Sequence, residues 1–142
     1  MAVYSSQLLK ITWNNILITG YATGTFIKVT RRTDTVSLVV GADGGTTFVF
    51  SADRSGEVEL TLRREHRVNT LLSAAVNAMD RGDFARGIGS FLVENVRSGA
   101  QHSAPNAVIS KPPDMEGATD ATPIMWKFLL DDLRAFDGAV EV

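Results

Sequence analysis

Asp131 and Asp132 could supply a pair of carboxylates for acid–base or metal chemistry. On a strand, adjacent side chains point to opposite faces, so these two do not converge on one proton or one ion. Asp34, Asp43 and Asp53 are dispersed in loops, and no spacing gathers them as ligands. His66 and His102 have no paired nucleophile and no metal-ligand partners in sequence; they read as surface or capping imidazoles. The chain has no cysteine, which excludes disulfides, thiol nucleophiles and thiolate zinc sites. Gly41-Ala42-Asp43-Gly44-Gly45 is glycine-rich but lacks the lysine and hydroxyl residue of a phosphate-binding loop, and no helix follows it. Its glycines fit a hairpin turn. The basic doublets Arg31-Arg32 and Arg63-Arg64 could touch phosphates, but Asp34 and Glu65 dilute them and no aromatic-basic array accompanies them. Ion pairing, on the surface or between subunits, is the better reading. We therefore expect no catalytic, cofactor-binding or metal-binding residue, no cofactor, and no enzyme.

The elements that would position these residues are mostly strands. Leu8 to Trp13 and Ile16 to Tyr21 flank Asn14-Asn15, a pair able to take the positive φ values of a tight hairpin. After a break at Thr23-Gly24, Phe26 to Arg32, Thr35 to Val40 and Thr46 to Ser51 continue the strand composition. Ala52 to Gly56 is a turn, and Glu57 to Arg63 alternates cleanly, with Val58, Leu60 and Leu62 facing in. These segments read as an antiparallel meander. Val68, Leu71, Leu72, Ala75, Val76 and Met79 then recur at helical spacing, which predicts an amphipathic helix from Arg67 to Asp80, ended by Gly82. Ile88 to Val96 returns to strand. Ser103 to Ser110 is a weaker strand whose Pro105 suggests an edge or a strand start. Lys111 to Asp114 is a rigid corner, and Asp114 to Thr122 a polar loop. Trp126, Phe128 and Leu130 alternate as a strand would, but Pro123 to Phe136 also fits a short helix, which propensity slightly favours; the strand is preferred on a family resemblance, and Trp126 and Phe128 read as core residues.

Length and composition bound the rest. The 142 residues suit a single domain over 1–142, and 44% apolar content allows a sizeable core. A formal charge of −2 excludes a strongly basic nucleic-acid binder and permits close self-association. The first 71 residues carry eight bases against six acids, the last 71 six against ten, an asymmetry of +2 to −4 that could help unlike surfaces meet. No run of 18 apolar residues suggests a membrane helix, no membrane binding is expected, and MAVYSSQLLK does not read as a signal peptide.

The stretches YSSQLLKITWNNILITGYATG, GADGGTTFVFSADRSGEVELTLRREHRVNTLLSAA, KPPDME at 111–116 and MWKFLLDDLRAFDG at 125–138 together resemble the tail tube proteins of contractile-tailed bacteriophages. The resemblance implies a mainly β fold: an antiparallel β-sandwich or partial barrel with one flanking helix and an extended inter-ring hairpin at about 31–45. It implies six-subunit rings stacked into a hollow conduit for the genome. Its partners would be further copies of itself, sheath, tape-measure protein, baseplate and tail terminator, with double-stranded DNA passing non-specifically. The setting would be the virion tail, assembled in the host cytoplasm. The alternatives are a tail terminator or baseplate ring component and, further off, a small β-barrel binding module or enzyme. Similar proteins often open the helix with Ser-Pro-Asn-Asp; this chain has Glu65-His66-Arg67-Val68-Asn69 instead, and Gly138-Ala139 replaces a final glycine pair.

If each subunit gives four strands to the wall, 24 strands at about 4.8 Å make a circumference of about 115 Å. A tilt near 40° then gives a diameter of roughly 48 Å, enough for a duplex-sized bore. A conduit should not grip phosphates. Thr35, Ser37, Thr46, Thr47, Glu57 and Glu59 are the expected lumen residues, on polar strand faces.

Overall fold

Asn14 and Asn15 both take left-handed backbone, at φ 50° and 63°, and turn β1 (Leu9–Trp13) tightly into β2 (Ile16–Ile18). The structure, a computed structural model, describes residues 9–22, 26–95, 99–113 and 122–136. The expected break at Thr23-Gly24, the loop over 114–121 and the Gly138-Ala139 tail lie outside these, as do Leu8 and Val96 at the margins of two expected strands.

The strands that follow are β3 (Ile27–Arg31), β4 (Val36–Val40), β5 (Thr46–Phe50) and β6 (Gly56–Leu62). Beyond α1 (Val68–Asp80) come β7 (Ile88–Asn95), β8 (Gln101–Lys111), β9 (Ile124–Leu130) and β10 (Arg134–Phe136). The ambiguous C-terminal segment is therefore strand, as preferred. One eight-stranded antiparallel sheet runs β2-β1-β7-β8-β9-β6-β3, with β10 also on β8; β4 and β5 form a separate ribbon. The fold is mainly β with one helix, as expected, and among the described residues the sheet does not close into a barrel. A simple meander is not what forms: β6 pairs with β9, and β1 with β7, both distant in sequence. Strand order is set by which apolar faces bury one another, and that information is non-local.

The sheet curls strongly. Trp13 on β1 and Phe128 on β9 stand three strand steps apart, about 14 Å on a flat sheet. Their rings nevertheless meet edge-on at 5.3 Å, so the sheet wraps its own interior. The Trp13 indole N–H crosses that interior to donate to the Ala107 carbonyl at 3.0 Å. Val58, Leu60 and Leu62 face inward from β6, and Trp126, Phe128 and Leu130 face them from β9, all essentially inaccessible. The isolated bridge Tyr21–Leu62 brings the chain leaving β2 back toward the opposite side of the sheet. The strand expected to reach Tyr21 stops at Ile18.

Helix α1 flanks the curl, with Val68, Leu72 and Val76 in the core. Leu71, expected in that stripe, is instead 43% exposed; it lies about 100° around the helix from Leu72. Gly82 ends the helix in left-handed backbone, its N–H bonding Met79 O while the Asp83 N–H reaches Ala78 O. The N-terminus is held by Asn69. Its amide donates to the carbonyls of Arg63, Arg64 and His66, and its Oδ1 accepts the Trp126 indole N–H at 2.9 Å. His66 does cap: its Nδ1 accepts the Val68 N–H. Its ring lies on Gly20, where an added Cβ would stand 2.3 Å from the imidazole.

Pro105 is not at an edge. It lies in a central strand, β8, at an irregularity in the pairing with β7. On the other side of β8 the partner strand is broken: β9 ends at Leu130 and β10 begins at Arg134. Proline has no N–H to give a continuous partner, so the break falls beside it. Asp131 bridges the gap. Its carboxylate accepts the Asn106 backbone N–H at 3.2 Å and side-chain amide at 2.9 Å, while its own N–H donates to Asn106 O.

Candidate assembly interface

The β4–β5 ribbon leaves the body between β3 and β6 and turns through the glycine-rich segment. There the Gly41 N–H bonds Gly45 O at 2.7 Å, and Asp43 Oδ1 accepts the Gly45 N–H at 3.0 Å. Register places Val36 opposite Phe50, Leu38 opposite Phe48 and Val40 opposite Thr46. One face of the ribbon is thus almost wholly apolar. Phe48 is 66% exposed and Phe50 74%, with Leu38 at 55% and Val40 at 61%. Nothing among the described residues covers them. Exposed apolar surface of this continuity marks an interaction site.

The root of the ribbon, by contrast, is fixed. The break in β9–β10 frees Leu133, which is buried and packs over Gly56; a Cβ there would stand 2.8 Å from Leu133 Cδ2. The Leu133 N–H donates to Arg54 O at 2.7 Å, and its carbonyl accepts from the Arg31 guanidinium at 3.1 Å. One residue therefore ties both strands of the root to the body. Asp53 adds a second tie. It accepts the Thr33 hydroxyl at 2.6 Å and the Ser55 hydroxyl and N–H at 2.7 and 2.9 Å. The Thr33 hydrogen bond first, then those from Ser55, hold its carboxyl down at about 2, with Arg32 adding a smaller pull. Asp131 is likewise lowered, chiefly by the Asn106 side chain.

The expected lumen residues do not share one face. Ser37 and Thr47 lie on the mixed face of the ribbon with Val39 and Val49, whereas Thr46 lies on the apolar face opposite Val40. Glu57 and Glu59 do face outward together on β6, but not as an acidic surface. Glu57 pairs with Arg32 and Glu59 with Lys127, each at 3.8 Å, and Lys28 stands opposite Glu59 in register. Of the doublets, Arg31 serves the ribbon root and Arg64 donates to Thr122 O and Oγ1 at 2.9 and 3.0 Å. His102 and the Asp131-Asp132 pair lie where β8 meets β10 and the β9–β10 break. Among the described residues no cluster of three or more His, Asp or Glu could hold a metal ion.

Two concavities lie near these elements. One, of about 330 Å³, lies at the ribbon root against Ile88, Val108 and Leu129. The other, of about 340 Å³, lies at the far end of β6 and β9, among Arg64, Lys111, Lys127 and three prolines. Neither gathers a nucleophile with a base. Sequence reasoning missed Leu133 and Asn69, each an ordinary residue whose role depends on distant partners; the only local hint was Pro105.

A curled antiparallel sheet with one helix and a projecting apolar ribbon defines a small β protein equipped to associate. Its fold is that of the anti-feeding prophage cap, described as a tube-terminating cap: the TM-score is 0.62 at 7% identity, covering 97% of this chain and 95% of that one. No curated protein matches the sequence. The family described as Bacteriophage PhiTE tail tube protein matches residues 12–138, and the chain belongs to that tail tube family. It is a structural protein of the phage tail, and its place is the virion tail.

Proposed function

We propose that the chain is the repeating subunit of a contractile-tail tube, forming six-membered rings that stack into a conduit for the genome. The observation that carries this reading is the apolar face of the β4–β5 ribbon, left open on a chain of the tail tube family. A ribbon that carries Phe48 and Phe50 this exposed needs a partner, and a second copy is always at hand. The outer strands β2 and β3 are also open to pairing among the described residues, and ring closure would seal them. Contact between two different patches of one subunit closes into rings or repeats along an axis. In this reading the inter-ring hairpin expected at about 31–45 is the β4–β5 ribbon, and the fixed root supports it by holding both of its strands to the body. The ion-paired Glu57 and Glu59 face would present a DNA duplex with nearly balanced charge. In this reading the chain has no catalytic role, assembles in the host cytoplasm, and meets the sheath, tape measure, baseplate and terminator there.

A second reading, a ring that terminates the tube, draws on the fold shared with the tube-terminating cap. Negative-stain imaging of the purified chain separates the two. Stacked rings of growing length are expected; single rings that never stack favour the cap, and monomers at high concentration contradict both.

A further inference from the structure

The turn at the ribbon tip contains a dipeptide with chemistry of its own. Asp43 is the one aspartate among the described residues that a glycine follows. The side-chain carboxyl of an aspartate can be attacked by the amide nitrogen of the next residue, and that residue's side chain ordinarily hinders the approach. Gly44 has no side chain, and a Cβ built on it would meet nothing within 4 Å. The peptide is therefore open on that side, and residues 41–45 are all exposed.

The turn also holds the carboxyl close to the nitrogen. Asp43 Oδ1 accepts the Gly45 N–H at 3.0 Å, which folds the side chain back over the Gly44 peptide between them. The carboxyl lies between Gly41 and Gly45: a Cβ on Gly41 would stand 2.9 Å from Oδ1, and one on Gly45 3.7 Å from Cγ. The same hydrogen bond draws electron density from the carboxyl carbon, as donors do wherever an acyl carbon is attacked. The Gly44 N–H must first be freed, because it donates to Gly41 O at 3.0 Å. That bond closes an exposed turn on a two-stranded ribbon, where local opening costs least.

Asp53 has the same kind of hydrogen bond, its Oδ1 accepting the Ser55 N–H at 2.9 Å, and differs in the rest. Arg54 follows it, and Thr33 and Ser55 hold its carboxyl down at about 2, so it stays ionised and has no hydroxyl to lose.

We propose that Asp43 is a site of spontaneous isoaspartate formation. The Gly44 nitrogen bonds to Asp43 Cγ. The Cγ–Oδ2 bond of the neutral acid breaks, and its hydroxyl leaves with the amide proton as water, closing a succinimide ring. Water then adds at one of the two ring carbonyls. Addition at Cγ restores aspartate. Addition at the main-chain carbonyl carbon breaks its bond to nitrogen and leaves Gly44 joined through Cγ. One water leaves and one enters, so no oxidant or reductant is needed and the mass is unchanged. The product has one extra carbon in its main chain. The Gly41 N–H to Gly45 O bond and the Val40–Thr46 pairing that close the turn no longer fit it. A consequence, which rests on the tube reading, is that a free subunit aged in this way no longer assembles.

The test holds the purified full chain, and a synthetic peptide of residues 33–54, at neutral pH and physiological temperature for weeks. Trypsin releases the same 33–54 peptide from the chain, while Asp137, the other aspartate before a glycine outside the described residues, falls in a different one. Electron-driven fragmentation locates the isoaspartate, and isoaspartyl methyltransferase with a labelled methyl donor counts it in the isolated peptide. Asp43 in the folded chain should convert within about five-fold of its rate in the free peptide, and at least about ten-fold faster than Asp53 in the same digest. Asp43→Asn should enter the same ring with loss of ammonia, and Asp43→Glu should stay unmodified. Slower conversion of the folded chain than that, or no excess at Asp43 over Asp53, overturns the site. Loss of polymerising material should track isoaspartate in aged wild-type monomer and be absent from aged Asp43→Glu. Modified protein that still assembles overturns only the link to assembly, and fresh wild-type protein that never polymerises overturns the tube reading while the chemical result stands.

Discussion

Strands β5 and β6 are neighbours in the chain and both place bulky apolar residues at alternate positions, Phe48 and Phe50 on one and Val58, Leu60 and Leu62 on the other, yet these end in opposite environments. Val58, Leu60 and Leu62 of β6 are 0% exposed, whereas Phe48 and Phe50 of β5 are 66% and 74% exposed. The difference lies in the partners. Strand β6 has β3 and β9 on its two sides and the curl of the sheet above it; β5 has only β4. Alternation says that a face wants burial, but not whether the same chain provides it. The body of this subunit completes its own core, and the ribbon carries a half-interface outward.

The comparison can be broken at several strengths, judged by the folding stability of the monomer. The largest effect belongs to the body. Trp126→Ala should cost about 3–5 kcal/mol, because it empties a core position and strands Asn69 Oδ1. Leu60→Ala should cost about 2–5 kcal/mol, and a loss below about 0.5 kcal/mol in a chemical melt would contradict its burial. Asn69→Ala should cost about 1–3 kcal/mol by leaving buried groups without partners, again measured by chemical melting. On the ribbon, Phe48→Ser with Phe50→Ser should change monomer stability by no more than about 0.5 kcal/mol while abolishing assembly, seen by melting and imaging of one preparation. Equal destabilisation by the ribbon and body variants would erase the distinction.

The smallest effect is at the ribbon root and concerns pH. Asp53 is lowered from 3.8 to about 2, so the stabilisation it gives the root is present above pH 4 and is lost only as pH falls through about 2. Carboxyl-carbon NMR should place its titration there, and Asp53→Asn should remove the dependence. A midpoint near 4 would show that Thr33 and Ser55 do not hold it.

Much of the body was legible in the sequence. The inward set on β6 follows from period-two alternation and the Asn14-Asn15 turn from residue type alone, whereas on β9 the same alternation left a helix open and the family resemblance decided for the strand. Strand order was not legible, because β1 finds β7 and β6 finds β9 across long stretches of chain. Pro105 was visible as an anomaly, but its resolution requires a break in a partner strand 25 residues away. Phe48 and Phe50 were legible as strand residues, and their exposure was not, since a core strand and an interface strand share one pattern. The cavity at the far end of β6 and β9 unites Arg64, Lys111 and Lys127 from separate segments, which no local spacing announces.

The central claim is that another copy covers the apolar face of the ribbon. Hydrogen exchange by mass spectrometry, comparing soluble monomer with assembled protein, tests it most directly. Peptides spanning residues 36–50 should exchange fast in the monomer and become strongly protected in the assembly, while β6 and β9 stay protected in both. A ribbon that exchanges equally fast in both states would contradict the account.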